Sequence, residues 1–143
     1  MIQPDADHPL TGGCQCGAIR YALTGPPERV HLCHCRMCQK AVGGPFAASA
    51  PVRRSHFAWT RGTPASFASS SLAHRDFCGT CGTPLTWREA ANPRFVDVSI
   101  ATLDDPEPVE PLLHVWTESQ IGWFEIDDHL ARYPTNERPR PAL

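Results

Sequence analysis

Apolar and polar positions alternate along this chain in short runs rather than with a helical period. In GAIRYAL (17–23), Ile19, Tyr21 and Leu23 fall on one face and Arg20 on the other, the period of two that a half-buried strand requires. FVDVSIA (95–101) behaves the same way, with Val96, Val98 and Ile100 predicted inward and Asp97 and Ser99 outward. PFAASAPV, HFAW, TPLTW, LHVWT and WFEI are similar short runs, and Gly, Pro, Asn and Asp separate them as turn residues do. Helical signals are confined to a turn around His34–Val42 and another near Asp127–Tyr133.

Composition sharpens the picture. Fifteen prolines are scattered through 143 residues, and the longest proline-free stretch runs only from Leu112 to Tyr133. Proline removes a backbone donor and clashes inside helices, so an all-α bundle is excluded and a doubly wound sheet has little room. The pattern predicts a mostly β, single domain of packed antiparallel sheets with few short helical turns. A flexible lead is expected over 1–10, the β domain over 11–133 and an extended tail over 134–143. No apolar run is long enough to span a bilayer, so no membrane partner is expected. MIQPDADHPL carries two acids and lacks the apolar core of a secretory leader, and the expected location is cytoplasmic.

Seven cysteines in such a chain point away from disulfides, which an odd number cannot complete within one chain. They form three groups: Cys14 and Cys16; Cys33, Cys35 and Cys38; Cys78 and Cys81. Two thiols two or three residues apart in a glycine-flanked turn can face one ion, and Gly79 and Gly82 suit a tight knuckle because glycine permits positive φ. Pairing the two short clips gives a closed four-thiolate site at Cys14, Cys16, Cys78 and Cys81. The remainder, Cys33, Cys35 and Cys38, is a three-thiolate site with one position open. A closed site is the pattern of structural zinc, and three protein ligands with a vacancy is the pattern of catalytic zinc. Two zinc ions per chain are therefore expected, the second more labile. Closure of the three-cysteine site by His31, His34, His56 or His114 is the alternative, and it would make both metals structural.

Charge is distributed unevenly. From Arg29 to Arg75 there are seven bases and no acid, a segment that would partly offset thiolate charge and lower thiol pKa values. Arg36, Arg53 and Arg54 lie in it as candidates to hold substrate carboxylates, and Arg75 as a neighbour of the third cysteine group. The sequence pI near 6.4 carries no domain-level basic excess, so no nucleic-acid partner is expected.

GGCQCGAIRY, CHCRMCQKAVG, RDFCGTCGTPL, IATLDDP and HVWTESQIGWFEI together resemble the glutathione-dependent formaldehyde-activating family, which also includes centromere protein V. The resemblance runs from about Gly12 to Asp128. It implies a tent-like, all-β fold pinned by zinc, with structural zinc at Cys14, Cys16, Cys78 and Cys81 and catalytic zinc at Cys33, Cys35 and Cys38. It also implies a carbon–sulfur lyase joining formaldehyde to a small thiol, glutathione. The competing readings are a non-catalytic zinc-stabilised binding module and a thiol or zinc sensor.

Overall fold

The computed structural model describes residues 3–136. Among them lie eleven strands and one α-helix: β1 (Leu10–Gly13), β2 (Arg20–Leu23), β3 (His31–Cys33), α1 (Arg36–Val42), β4 (Ala47–Arg53), β5 (Phe57–Arg61), β6 (Ala65–Ala68), β7 (Ala73–Phe77), β8 (Pro84–Glu89), β9 (Phe95–Ser99), β10 (Leu113–Val115) and β11 (Ala131–Arg132). They build a three-stranded sheet in the order β1-β2-β5 and an eight-stranded sheet in the order β11-β10-β3-β4-β9-β8-β7-β6. The mostly β, single-domain expectation is met.

Alternation decides which faces meet. Tyr21 and Leu23 of the small sheet and Val52, Leu85 and Val98 of the large one are fully buried in a shared core. Burying each such apolar side chain is worth roughly 1.5–3 kcal/mol relative to exposure. Ile19, Val96 and Ile100 join them, as the alternating runs predict.

The eight-stranded sheet is antiparallel through its middle but parallel where β10 pairs with β3 and β11. β10 arrives after an irregular excursion from the far side of the fold and is free of the hairpin constraint that forces antiparallel pairing. Asp97, expected outward, is buried: β9 lies inside the eight-stranded sheet, with Pro51 of β4 and Trp87 of β8 in register on either side of Asp97. The helical turn expected near Asp127–Tyr133 is instead an extended segment containing β11, and WFEI forms a turn rather than a strand, with Trp123 exposed. The first takes a main-chain partner from β10, the Tyr133 N–H donating to the His114 carbonyl at 3.0 Å, while WFEI turns back on itself, the Phe124 N–H donating to the Ile121 carbonyl at 3.1 Å. Of the expected lead and tail, residues 1–2 and 137–143 lie outside the described part.

Candidate metal centres

The first clip is a turn between β1 and β2. Here the Gly17 N–H donates to the Cys14 carbonyl at 3.1 Å and the Ile19 N–H to Cys14 Sγ at 3.2 Å. The second clip follows β7 and repeats the device: the Gly82 N–H reaches the Cys78 carbonyl at 2.8 Å, and the Thr80 and Cys81 N–H groups both reach Cys78 Sγ at 3.4 Å. Gly17 and Gly82 each sit at φ +80°, which a side chain would strain. Gly79, expected to share that role, has no positive φ, because the turn reverses only after the second cysteine.

These turns aim four sulfurs at one point. Cys14, Cys16, Cys78 and Cys81 Sγ atoms all lie within 4.8 Å of one another, with Cys14–Cys16 at 3.6 Å and Cys16–Cys78 at 3.7 Å. A tetrahedron with zinc–sulfur bonds near 2.3 Å has edges of about 3.8 Å, so this donor set fits zinc without rearrangement. Cys14 and Cys78 are buried and Cys16 and Cys81 exposed. The Thr83 hydroxyl beside Cys81, with main-chain donors, lowers that thiol to about 5. The site ties the small sheet to the large one.

The second cluster forms where β3 runs into α1. Cys33 ends β3 and is buried; Cys35 caps α1, its Sγ accepting the Cys38 N–H at 3.3 Å; Cys38 follows one turn on. Their sulfurs again lie within 4.8 Å of one another, and among the described residues no histidine or carboxylate joins either cluster. His31, His34, His56 and His114 therefore do not close the three-cysteine site. Hydrogen bonds from Cys33 and then Cys38 lower Cys35 to about 2, assisted by the Arg75 charge, while Cys33, the donor in that arrangement, is held up. Arg75 Nη2 lies 3.5 Å from Cys38 Sγ. Arg75 comes from β7, three residues before Cys78, so one strand serves both clusters.

His34 turns its side chain away from the sulfurs into the protein. Its Nε2 is 2.8 Å from His114 Nδ1, and His114 Nε2 is 2.9 Å from Asp128 Oδ2. Both imidazoles are buried. The His34 backbone is fixed as well, its N–H to the Val115 carbonyl at 3.0 Å and its carbonyl to Gln39 Nε2 at 2.7 Å. The same Gln39 amide reaches the Ser119 carbonyl at 3.0 Å, so the cysteine loop is clamped to β10 and the turn after it. Burial lowers the His34 pKa, and a proton on His114 would lower it further; the hydrogen bond from His114 lowers the pKa of Asp128.

The arginines divide between two places. Arg36 lies on α1 beside the three cysteines and hydrogen-bonds Gln39. Arg53 and Arg54 do not come near them: Cys33 pairs with Ala47 at one end of β4, and Arg53 sits at the other. At about 3.3 Å per residue the separation is roughly 20 Å. Position within an acid-free segment misled here because a strand carries its two ends to opposite sides of the molecule.

Two sheets pinned by a four-cysteine clip, with a three-cysteine cluster on a strand-to-helix loop, define a class of β protein built around two cysteine clusters that could each hold a metal ion. The family model for the glutathione-dependent formaldehyde-activating enzyme matches residues 9–119, and the chain belongs to this family. A Halomonas elongata protein whose name assigns it provisionally to the same enzymes is 28% identical over 130 residues, covering 82% of this chain and 81% of the relative. An uncharacterized lyase of Schizosaccharomyces pombe is 31% identical over 88 residues, covering 60% of this chain and 64% of that protein. The crystal structure of a Rhodobacter sphaeroides protein superposes with a TM-score of 0.54 at 25% identity, covering 74% of this chain and all of that one.

Proposed function

We propose that this protein is a zinc-dependent carbon–sulfur lyase acting on a small thiol or its aldehyde adduct, such as that of glutathione and formaldehyde. The observation that carries the reading is the three-thiol cluster at Cys33, Cys35 and Cys38, which no fourth His, Cys, Asp or Glu completes among the described residues. Family membership and the lyase-named relative support it.

Zinc held by these three thiolates would supply a Lewis acid that favours the substrate sulfur as thiolate. In the joining direction the thiolate attacks the aldehyde carbon, the carbonyl electron pair moves to oxygen, and that oxygen takes a proton. In the reverse direction the carbon–sulfur bond breaks and the hydroxyl gives up its proton. The chain contributes position and charge. The Cys35 cap, the Gln39 amide and the His34–His114 pair fix the loop that bears the sulfurs. Arg75, against Cys38, offsets negative charge collected on the cluster. Holding such groups in place beforehand is where most of an active site's advantage lies.

Exchange NMR of a glutathione–formaldehyde mixture tests the proposal by comparing adduct formation and breakdown with and without protein. Wild-type protein should accelerate exchange at least about tenfold over buffer, and Cys35→Ser should return it to the buffer rate. Equal acceleration by Cys35→Ser would refute a role for the cluster in turnover.

A further inference from the structure

A cleft of about 940 Å³, lined by none of the seven cysteines, opens between the edge of the small sheet and the strands β6 to β9. Its lining includes Arg53, Arg54, Arg88 and Arg94 and two half-buried aromatics, Phe57 and Trp59. The volume is at the upper end of what pockets for drug-sized ligands offer, roughly 300–1,000 Å³.

The four arginines are not equivalent. Arg88 is held by Asp76, with Nε at 3.0 Å from the buried carboxylate, and Arg53 by Glu28, also at 3.0 Å. Those two are oriented parts of the wall. Arg54 and Arg94 are exposed, and neither side chain has an ion-pair or hydrogen-bond partner among the described residues. The Arg54 N–H donates to the Arg94 carbonyl at 2.9 Å, so the backbone holds the two residues side by side, and both line the cleft. Two neighbouring like charges without a counter-ion repel, and an anion bridging them would turn that cost into attraction. Phe57 and Trp59 stand edge to face, with centroids 4.8 Å apart, and offer apolar surface to a flat group.

We infer that this cleft is a binding site for an organic anion that combines at least two negative charges with a flat ring, the charges held by Arg54 and Arg94 and the ring against Phe57 and Trp59. Phosphate and carboxylate groups share this chemistry, and guanidinium forks accept either. The site is independent of the cysteine clusters and stands whether or not the lyase reaction is found.

Calorimetric titration of the intact, zinc-loaded protein at low salt tests it with four probes. ADP and benzene-1,3-dicarboxylate carry both ring and charge; pyrophosphate carries charge alone and adenosine a ring alone. At least one ringed anion should bind with a dissociation constant below about 1 mM, at least tenfold tighter than pyrophosphate or adenosine. Preference between the two ringed anions identifies phosphate or carboxylate as the recognised group. The double variant Arg54→Ala/Arg94→Ala, changed only at exposed side chains, should weaken binding at least tenfold while its circular dichroism stays unchanged. In wild-type protein the Trp59 indole N–H resonance should shift on titration. The inference is overturned if neither ringed anion binds, if pyrophosphate or adenosine binds as tightly as the tighter of the two ringed anions, or if the double variant binds as well as wild type.

Discussion

His34 and His114 are joined by a buried hydrogen bond of 2.8 Å, although 80 residues separate them along the chain. The bond has a direction. Ionised Asp128 can only accept, so His114 Nε2 donates to it, and neutral His114 then accepts at Nδ1 from His34 Nε2–H. His34 Nδ1 is left buried with no hydrogen-bond partner among the described residues. The chain fixes the imidazole that sits between Cys33 and Cys35, and thereby the loop that carries them.

Removing the middle of that chain should cost more than removing its end. His114→Ala strands two polar groups at once, one of them fully buried, and should destabilise the protein by about 2–3 kcal/mol. Asp128→Asn keeps an acceptor at a half-exposed position and should cost under about 1 kcal/mol. Urea unfolding at constant slope measures both, and equal midpoints for the two variants would contradict the buried connection.

The two cysteine clusters should respond differently to substitution. The four-thiolate site joins separate sheets, so Cys78→Ser, which removes a buried sulfur accepting two N–H groups, should prevent stable folding. Cys35→Ser touches a loop already anchored by the Cys38, Gln39 and His34 contacts and should leave a folded chain with about one zinc instead of two. Elemental analysis beside circular dichroism separates these outcomes. A folded Cys78→Ser protein retaining two zincs would contradict the division of labour.

Much of this division is legible in the sequence, since ligand spacing is a local property. Two cysteines held in one tight turn must face the same side, and the three groups can be paired in few ways. The β class is legible for a similar reason: Ile19, Tyr21 and Leu23 declare their face by alternation alone. β6 and β7 escape that logic because the edge strand ASFA is mostly exposed, while AHRDF buries the unlike pair Ala73 and Asp76 and so shows no apolar face. The 127–133 segment misleads because its partner, β10, lies far off in sequence. Nothing near His34 announces His114 or Asp128; their contact follows from β10 pairing in parallel with β3, which no local pattern specifies.

Arg75 offers a test of charge at the three-cysteine site. Its guanidinium lies 3.5 Å from Cys38 Sγ. A charge-assisted hydrogen bond is worth about 1.5–3 kcal/mol, so Arg75→Gln should lower adduct turnover roughly ten- to hundredfold. Arg75→Lys, which keeps the charge and loses the planar fork, should recover part of the loss. Exchange rates for the three proteins at matched zinc content decide the point, and an unchanged Gln variant would remove Arg75 from the site.

Asp104 gives the chain a pH-dependent tie at the edge of the small sheet. Its carboxylate accepts two hydrogen bonds from Arg20, at 2.9 and 2.5 Å, and one from the Thr11 hydroxyl at 2.6 Å. Arg20 first, and Thr11 with it, lower its pKa to about 2. The folded value lies below the unfolded one of about 3.9, so the stabilisation is fully present above that unfolded value and is lost as pH falls towards 2. The Asp104 and Arg20 side chains are 50% and 30% exposed, which screens the pair and holds its worth to about 1 kcal/mol or less. Asp104→Asn should therefore lower the urea midpoint slightly at pH 7 and leave it unchanged near pH 2. A variant whose deficit persists at pH 2 would place the cost in packing around Thr11 rather than in the carboxylate charge.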